Sequence, residues 1–293
     1  MQGSHGLAVD PSSLTRIYRL YGGVVKFTRI REKKMFEHIK YQTQDHVATI
    51  TIDRPDRLNS LARRTMSEIA EAANMASDDQ EVRLILFTSV GERVFCPGID
   101  LKEADELARS GEVFPQPMRG RDRNFFELIM EVPKPTIAAL NGDAIGGGCE
   151  LALACDLRIA ADHARLGMPE AKRGMGANFG SVVLPRLVPR AMALDMLYTG
   201  RLVPAAEALG FGLINRSFPS NRFLEEVAAF VSDIAQNAPL TLQRYKHMAL
   251  KGWEMSVHAA LRLDVGPNPY ASEDRVEGVR AFVEKRKPQW KAR

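Results

Sequence analysis

The sequence predicts an α/β protein with a helical C-terminal part, because strand-like and helix-like segments alternate along most of the chain. The clearest unit lies in the middle, where the apolar run 136–140 passes through a glycine-rich turn into the Ala- and Leu-rich segment 151–154. Similar strand-then-helix patterns occur on both sides of this unit. From residue 182 onward the pattern becomes largely helical, which sets the C-terminal part apart from the alternating core.

The alternating core is expected to begin near Met35. Its apolar and β-branched runs predict strands at 47–52, 82–89, 136–140 and 156–160. Helices are expected at 60–76, 100–109 and 122–131. Ser60 is the candidate N-cap of the first helix, and Pro133 and Pro135 would end the third. Loops are expected at 91–98 and at 111–120, where two prolines indicate a loop or a lid.

The C-terminal part is expected to be mostly helical, with one short strand at 212–216. Its predicted helices are 190–199, 204–209, 222–236, 239–253 and 272–287. The sequence contains no internal repeat and no low-complexity tract. We therefore expect three regions: an N-terminal extension at 1–34, an α/β core with the active site at 35–220, and a helical region at 221–293.

Composition indicates an ordinary globular protein. The chain has 293 residues, of which 45% are hydrophobic and 26% charged. No apolar run is long enough to span a membrane, so we expect no membrane association. The three cysteines form no C-x-x-C pair and are odd in number, which favours a reducing compartment and a cytoplasmic location. The six histidines are scattered, so we expect no metal site.

The basic charge of the chain is concentrated at its N-terminus. Residues 1–34 hold seven Lys or Arg against two acids, so the remaining residues are close to neutral. An arginine-rich, acid-poor extension is typical of transit peptides, and it could also be an arm for nucleic acid or a membrane surface. We favour a plainer interpretation, in which the extension is a tag remnant or an upstream start.

The glycine-rich turn is the strongest chemical signal in the sequence. Three consecutive glycines, 146–148, precede a helix whose first turn contains Glu150. A helix N-terminus offers unpaired N–H groups and a partial positive charge, and glycine lets a ligand approach the backbone closely. A P-loop is excluded because Cys149 and Glu150 follow the glycines, and Leu151 breaks a dinucleotide fingerprint. The turn therefore favours stabilisation of an oxyanion beside an acid/base carboxylate.

Two further segments have a similar pattern. The segment 95–101 also follows a strand and opens a helix, so its backbone N–H groups are expected to point outward. The segment 166–171 places a second carboxylate, Glu170, twenty residues after Glu150 and behind another strand.

With these segments in this order and at this spacing, the chain resembles the crotonase (enoyl-CoA hydratase/isomerase) superfamily from about Met35 to its C-terminus. The resemblance also includes the Arg-Pro-x-x-x-Asn-Ser-Leu segment 54–61 and the charged segment 272–288. The middle and tail are also similar to carnitinyl-CoA dehydratases. This resemblance implies a spiral of ββα units with a helical C-terminal trimerisation region. It also implies a homotrimer or a dimer of trimers that acts on an acyl-CoA thioester.

The resemblance assigns roles to individual residues. The backbone N–H groups of Ile99 and Gly147 would form an oxyanion hole for a thioester enolate. Glu150 and Glu170 match the two carboxylates that hydratases use for proton transfer. Because coenzyme A belongs to the substrate, no separate cofactor is expected.

Further residues match the coenzyme A site of the superfamily. Arg57 and Leu58 match the loop beside the adenine and pantetheine, and Pro97 would lie opposite them. Lys285 matches a C-terminal lysine that reaches coenzyme A from a neighbouring subunit. Asp100 follows the oxyanion residue, and we interpret it as a helix-end group.

One segment departs from the hydratase pattern. Hydratases of this superfamily usually have Pro-Gly-x-Gly-Gly seven residues after the second glutamate, where this chain has Ala177-Asn178-Phe179-Gly180-Ser181. Asn178 would replace a glycine that helps hold the catalytic water, and Phe179 would add bulk at the acyl end of the pocket.

Three functions remain open from the sequence. The first is an acyl-CoA hydro-lyase that adds water reversibly, in the syn sense, to a 2-enoyl-CoA. The second is an enoyl-CoA isomerase or another enolate reaction on a coenzyme A thioester. The third, of another class, is an RNA-binding or scaffolding homologue that uses the basic extension. Because both glutamates are present, we favour the first and expect no nucleic-acid partner.

Overall fold

The structure, a computed structural model, describes residues 17–20, 23–26, 36–111 and 124–293. The chain divides into two units, Met1–Met35 and Phe36–Arg293. In the first unit, strands β1 (Ile17–Leu20) and β2 (Gly23–Lys26) form an antiparallel pair. The interpretations of the basic extension depend on side chains that lie outside the described residues. The expected loop or lid at 111–120 also lies outside them, apart from its first residue, because the range 112–123 is not described.

Two sheets form the framework of the second unit. The larger has six strands in the order β12-β9-β7-β5-β4-β3, and the smaller has four in the order β11-β10-β8-β6. Neighbouring strands run parallel, apart from the antiparallel pairs β3–β4 and β10–β11. The strands are β3 (Ile39–Gln44), β4 (Val47–Ile52), β5 (Leu84–Ser89), β6 (Val94–Cys96), β7 (Thr136–Leu140), β8 (Asp143–Ile145), β9 (Leu157–Ala161), β10 (Arg165–Gly167), β11 (Leu202–Pro204) and β12 (Arg216–Phe218).

Helices follow the strands and dominate the C-terminal part. None in the described part of the chain is both long and apolar enough to cross a membrane. A 3-10 helix, Pro169–Arg173, follows β10. The α-helices are α1 (Arg63–Asp78), α2 (Leu101–Ser110), α3 (Phe125–Met130), α4 (Gly147–Ala154), α5 (Asn178–Leu187), α6 (Arg190–Thr199), α7 (Ala205–Gly210), α8 (Phe223–Ala235), α9 (Pro239–Gly252), α10 (Val257–Ala260) and α11 (Glu273–Val283).

The chain alternates between the two sheets as it advances. Strand β5 lies in the larger sheet and β6 in the smaller one, and α2 follows. The same sequence of steps repeats as β7, β8 and α4, and then as β9, β10, the 3-10 helix and α5. Each repeat is a ββα unit, so the prediction of an α/β spiral with a helical C-terminal region is confirmed.

The inner strands of the larger sheet, β4, β5, β7 and β9, are buried on both faces, which explains why they are mostly apolar. Along β5, Ile85 and Phe87 face the main core, whereas Leu84 and Leu86 face a second cluster. Helix α8 covers that second face with residues such as Val227. Successive side chains of a strand point to opposite faces, so the four inner strands, β4, β5, β7 and β9, each contribute to both clusters.

The predicted cap at Ser60 is wrong. Helix α1 begins three residues later, at Arg63, after the extended residue Ala62. The Ser60 hydroxyl instead donates to the Asp100 carboxylate, 3.2 Å away. The interpretation of Asp100 as a helix-end group is confirmed, because it is the N-cap of α2 and accepts from the Lys102 and Glu103 amides.

Other differences involve short elements. The expected loop 91–98 contains β6, and the strand expected at 212–216 is instead β12, which begins at Arg216. Leu213 and Ile214 are apolar because they are buried in the main core outside any strand. Helix α5 begins at Asn178, before the point where the helical pattern was expected, and contains Pro185.

The close packing of α4 on β6 can be tested with two glycine-to-alanine variants. A Cβ atom at Gly148 would lie 2.0 Å from the Cys96 carbonyl oxygen, whereas one at Gly210 in α7 would meet nothing within 4 Å. Gly148→Ala should therefore lower the free energy of unfolding by at least about 1–3 kcal/mol. Gly210→Ala should raise it by about 0.5–1 kcal/mol, since alanine favours helix. Urea unfolding of both variants measures this, and similar effects would contradict the close approach of α4 to β6.

Candidate active site

Three neighbouring parallel strands bring the predicted site segments together. Strands β6, β8 and β10 lie side by side in the smaller sheet, with Cys96 opposite Ala144 and Ala144 opposite Leu166. Each strand ends just before one of the segments that the sequence singled out. Because the carboxyl ends of parallel strands lie at one edge of a sheet, the three segments meet there.

The amides of Ile99 and Gly147 are free to bind a ligand. Leu61 donates to the Gly98 carbonyl at 2.8 Å and accepts from the Asp100 amide at 3.0 Å, which holds the peptide groups on both sides of Ile99. Gly147 is the first residue of α4, where an amide has no acceptor within the helix. Within the described residues, neither amide donates a hydrogen bond.

The same two amides are close in space. A Cβ built on Gly147 would lie 3.6 Å from the Ile99 nitrogen, and one built on Gly98 would lie 3.0 Å from the Gly147 nitrogen. Gly98 also has a φ of +99°, which other residues rarely adopt. Glycine at position 98 is therefore required for the two N–H groups to approach each other.

Glu150 is buried at the start of α4. It is 7% exposed, and its Oε1 accepts a hydrogen bond of 2.8 Å from the Gly180 amide. Burial raises the pKa of Glu150 to about 7, and the charge of Glu170 adds to the rise, although the Gly180 and Phe179 amides oppose it. The side chain is thus held in place while its proton affinity is close to neutral pH.

Glu170 is buried beside the glycine turn. It lies on the 3-10 helix after β10 and is 8% exposed. A Cβ on Gly146, whose φ is +56°, would come within 2.8 Å of its Oε1, so glycine at 146 gives the carboxylate room. Its buried Oε2 has no hydrogen-bond partner among the described residues. Burial raises the pKa of Glu170, opposed by its own amide and by the charge of Arg173.

The two carboxylates form an electrostatically coupled pair. An ionised Glu170 adds to the rise in the pKa of Glu150, so it makes ionisation of Glu150 harder. Such a pair can accept a proton at one oxygen and donate one from another. Within the described ranges, no group of three or more His, Cys, Asp or Glu residues could hold a metal ion.

The candidate coenzyme A residues fall into two places. Arg57 is the last residue of a 3-10 helix, Pro55–Arg57, in the connection before α1, and Leu58 directly follows it. Leu58 is half exposed with a φ of +53°, and the buried Nη1 of Arg57 has no partner among the described residues. Pro97 directly follows β6 and is partly exposed next to the Ile99 segment. Lys285 lies exposed after α11, and no described hydrogen bond joins it to the other candidate residues.

The sequence did not reveal the donor that orients Glu150. The Gly180 amide belongs to the first turn of α5, whose start the sequence placed too late. The Phe179 ring is buried against Phe126, with 5.5 Å between ring centroids. The unusual segment 177–181 therefore forms a helix N-terminus directed at the Glu150 carboxylate, with its aromatic side chain in the core.

Comparison with known proteins shows which family the chain is similar to. The model of the enoyl-CoA hydratase/isomerase family matches residues 42–293. A crotonyl-CoA hydratase from Syntrophomonas wolfei is 35% identical over 260 residues, covering 86% of this chain and 97% of the relative. A carnitinyl-CoA dehydratase from Salmonella arizonae is 37% identical over 265 residues, covering 88% and 99%.

Solved structures give the same result. The crystal structure of an enoyl-CoA hydratase from Bacillus anthracis superposes with a TM-score of 0.78 and 31% identity, covering 88% of this chain and all of that one. One from Mycobacterium tuberculosis superposes equally well, with a TM-score of 0.78. Since the family match spans most of the chain and the fold agrees, the protein belongs to the enoyl-CoA hydratase/isomerase family, that is, to the crotonase superfamily.

Proposed function

We propose that the protein is an acyl-CoA hydro-lyase that adds water reversibly, in the syn sense, to the double bond of a 2-enoyl-CoA. Family membership supports chemistry on a coenzyme A thioester. The observation that carries the proposal is the pair of buried carboxylates, Glu150 and Glu170, beside two backbone amides that have no acceptor among the described residues.

The proposed oxyanion hole consists of the Ile99 and Gly147 amides. When water attacks the β-carbon, electrons move through the conjugated system onto the thioester oxygen and an enolate develops. Two N–H groups aimed at that oxygen stabilise the developing charge, and losing one such donor typically costs about 3–4 kcal/mol. Both amides are backbone groups, so the role sets no requirement on the side chain of Ile99.

The proposed acid and base are the two glutamates. As the water oxygen bonds to the β-carbon, the ionised carboxylate takes a proton from the water. The protonated carboxylate then gives its proton to the α-carbon, and the pair again holds one proton. In the proposed complex both carboxylates would lie on one side of the double bond, so the two additions would occur on the same face. Dehydration follows the same steps in reverse.

Coenzyme A is proposed to bind along the loop before α1. The Nη1 of Arg57, which has no partner among the described residues, supports a contact with an anionic or polar group, and Leu58 and Pro97 are proposed to offer apolar surface. Lys285 is proposed to reach coenzyme A across a subunit boundary in a homotrimer or dimer of trimers. The reaction requires no redox step, and we propose no cofactor apart from the coenzyme A of the substrate.

Enoyl-CoA isomerisation is the alternative within the same family. Moving a double bond needs one acid/base group, whereas this site has two buried carboxylates, which favours water addition. Incubation with crotonyl-CoA and with a 3-enoyl-CoA, followed by mass analysis, tests the choice. We expect crotonyl-CoA to gain the mass of one water; a 3-enoyl-CoA that changes at constant mass, with no hydration of crotonyl-CoA, would establish the isomerase.

Replacing either glutamate should nearly abolish hydration. Glu150→Gln and Glu170→Gln remove a proton-transfer group while keeping size and hydrogen bonding, so kcat should fall by about 10²–10⁴-fold. Binding of a coenzyme A thioester should survive in both variants. The exposed Glu254→Gln variant is the control and should keep normal kcat. Near-normal turnover in either active-site variant would rule out the two-glutamate mechanism.

Removing the Gly147 N–H should also lower turnover strongly. Proline is tolerated at the first position of a helix, so Gly147→Pro removes the donor at a site where α4 can accept it. Loss of one oxyanion donor should lower kcat by about 10²–10³-fold. Cys149→Ala, in the same helix turn, keeps every amide and should retain most activity. If the two variants had equal, mild effects, the oxyanion assignment would be wrong.

Glu150→Gln should stabilise the protein in a pH-dependent manner. Burial raises the pKa of Glu150 to about 7, so its protonation favours the folded state below pH 4.5, and this contribution is lost as the pH rises to about 7. Glutamine is neutral throughout, so the Tm values should agree at pH 4.5. At pH 8 the variant should gain up to about 3 kcal/mol in free energy of unfolding. Calorimetry at both pH values measures this, with Glu254→Gln as control; a variant less stable than wild type at pH 8 contradicts it.

A further inference from the structure

A buried ion pair lies directly behind the proposed oxyanion residue Ile99. Arg54 Nη2 donates to Asp100 Oδ2 at 3.1 Å, and the two side chains are only 11% and 7% exposed. Replacing a buried ion pair by apolar side chains is often neutral or stabilising, so stability alone gives a weak reason for such a pair. The hydrogen bonds around the pair indicate that it fixes the position of the neighbouring backbone.

The pair controls the backbone on both sides of Ile99. Arg54 Nη1 donates to the carbonyl of Ser60 at 2.6 Å and to its hydroxyl at 3.2 Å. The next residue, Leu61, holds the Gly98 carbonyl and the Asp100 amide. The Ile99 peptide is thus flanked by groups whose positions all depend on Arg54 or on Leu61.

The Asp100 carboxylate completes this arrangement. Its Oδ2 accepts from Arg54 and from the Ser60 hydroxyl, while its Oδ1 accepts from the first amides of α2. Burial would raise the pKa of Asp100, but the hydrogen bonds from Arg54, the Glu103 amide and Ser60 outweigh it and keep the pKa below its usual value. The carboxylate is thus anchored on both oxygens.

The same arginine also belongs to the proposed coenzyme A loop. Leu58 and Asn59 both have left-handed φ values, +53° and +64°, which is uncommon for a bulky residue such as leucine. The Asn59 side chain holds this conformation by accepting from the Arg54 amide and donating to the Val90 and Val94 carbonyls. Strained backbone of this kind persists where the surroundings fix it, often at ligand sites.

We propose that Arg54 and Asp100 are positioning residues that couple the coenzyme A loop, residues 54–60, to the oxyanion donor Ile99. Contacts made by the nucleotide end of the substrate at Arg57 and Leu58 fix the loop, and the ion pair transmits that constraint to the Ile99 amide. Binding energy far from the reacting carbons thereby orients the N–H that stabilises the enolate. This inference rests on the proposed function, since it takes Ile99 as an oxyanion donor.

Asp100→Asn tests the pair with little change in shape. Asparagine can still cap α2 through its oxygen, but its amide nitrogen cannot accept from Arg54. The first readout is the absorption of 4-(dimethylamino)cinnamoyl-CoA, a chromophore that shifts to the red when its thioester oxygen is polarised. We expect the wild-type protein to shift the band and Asp100→Asn to lose at least half of the shift.

The second readout separates kcat from KM. A misplaced oxyanion donor should lower kcat for crotonyl-CoA by roughly 10–100-fold with a smaller change in KM. In the wild type, crotonyl-pantetheine, which lacks the nucleotide, should have a lower kcat than crotonyl-CoA. In Asp100→Asn the two substrates should have similar kcat values, because contacts with the nucleotide no longer affect the position of the Ile99 amide.

Two further variants separate a positioning role from a general loss of stability. Asp156→Asn breaks the ion pair of a partly exposed carboxylate with the buried Lys246, and should lower Tm without changing the absorption shift or the substrate dependence of kcat. Arg54→Lys keeps the charge but cannot bond Ser60 and Asp100 as a planar fork, so we expect an intermediate loss of both readouts even if Asp100→Asn folds poorly.

The outcomes distinguish this inference from the proposed function. A full absorption shift with unchanged kcat in Asp100→Asn and Arg54→Lys would overturn the positioning role. A lower kcat that leaves the nucleotide effect intact would overturn the coupling. If the wild type did not hydrate crotonyl-CoA, yet shifted the chromophore band and lost the shift in the variants, the hydro-lyase proposal would fail while the positioning role stood.

Discussion

The parallel pairing of β6, β8 and β10 is the constraint on which the site depends. Three strands of three residues each contribute little core, but their adjacency brings together segments that are far apart in the sequence. The larger sheet, whose inner strands are buried on both faces, supplies the rigid support that such short strands lack. Glycine at 98, 146 and 148 then lets backbone and carboxylate approach to distances that a Cβ atom would forbid.

Burial raises the pKa values of the two glutamates and also lowers the stability of the fold when they are ionised. Glu150 and Glu170 are nearly inaccessible to solvent, and each has a pKa above its ordinary value because water no longer stabilises its charge. Few donors offset this cost; the Gly180 amide holds one oxygen of Glu150, and Glu170 Oε2 has no partner among the described residues. A surface carboxylate would destabilise the fold less. It would, however, be almost fully ionised at neutral pH and could not serve as an acid there.

The local parts of this site could be predicted from the sequence, and the non-local parts could not. Glycines before a helix and a carboxylate in its first turn are short-range signals, so the segments around Gly147 and Glu150 were recognisable. Strands as short as β6 and β10 carry too few residues for a periodic signal, and β6 was taken for a loop. The partner of Ser60 lies 40 residues away, so a helix cap was the natural local interpretation. The role of Lys285 requires a neighbouring subunit, and that prediction stays open.

The proposed role of the Arg54–Asp100 pair would let contacts far from the reacting group affect the reaction. Coenzyme A is much bigger than the group that reacts, and contacts with its distant end accelerate the reaction only if something carries their effect to the transition state. In this fold the loop before α1 and the segment after β6 are neighbours through Leu61, so one buried guanidinium can contact both. A rigid link of a few hydrogen bonds suits this task better than a flexible one, because an oxyanion donor is effective only within a few tenths of an ångström of its correct position.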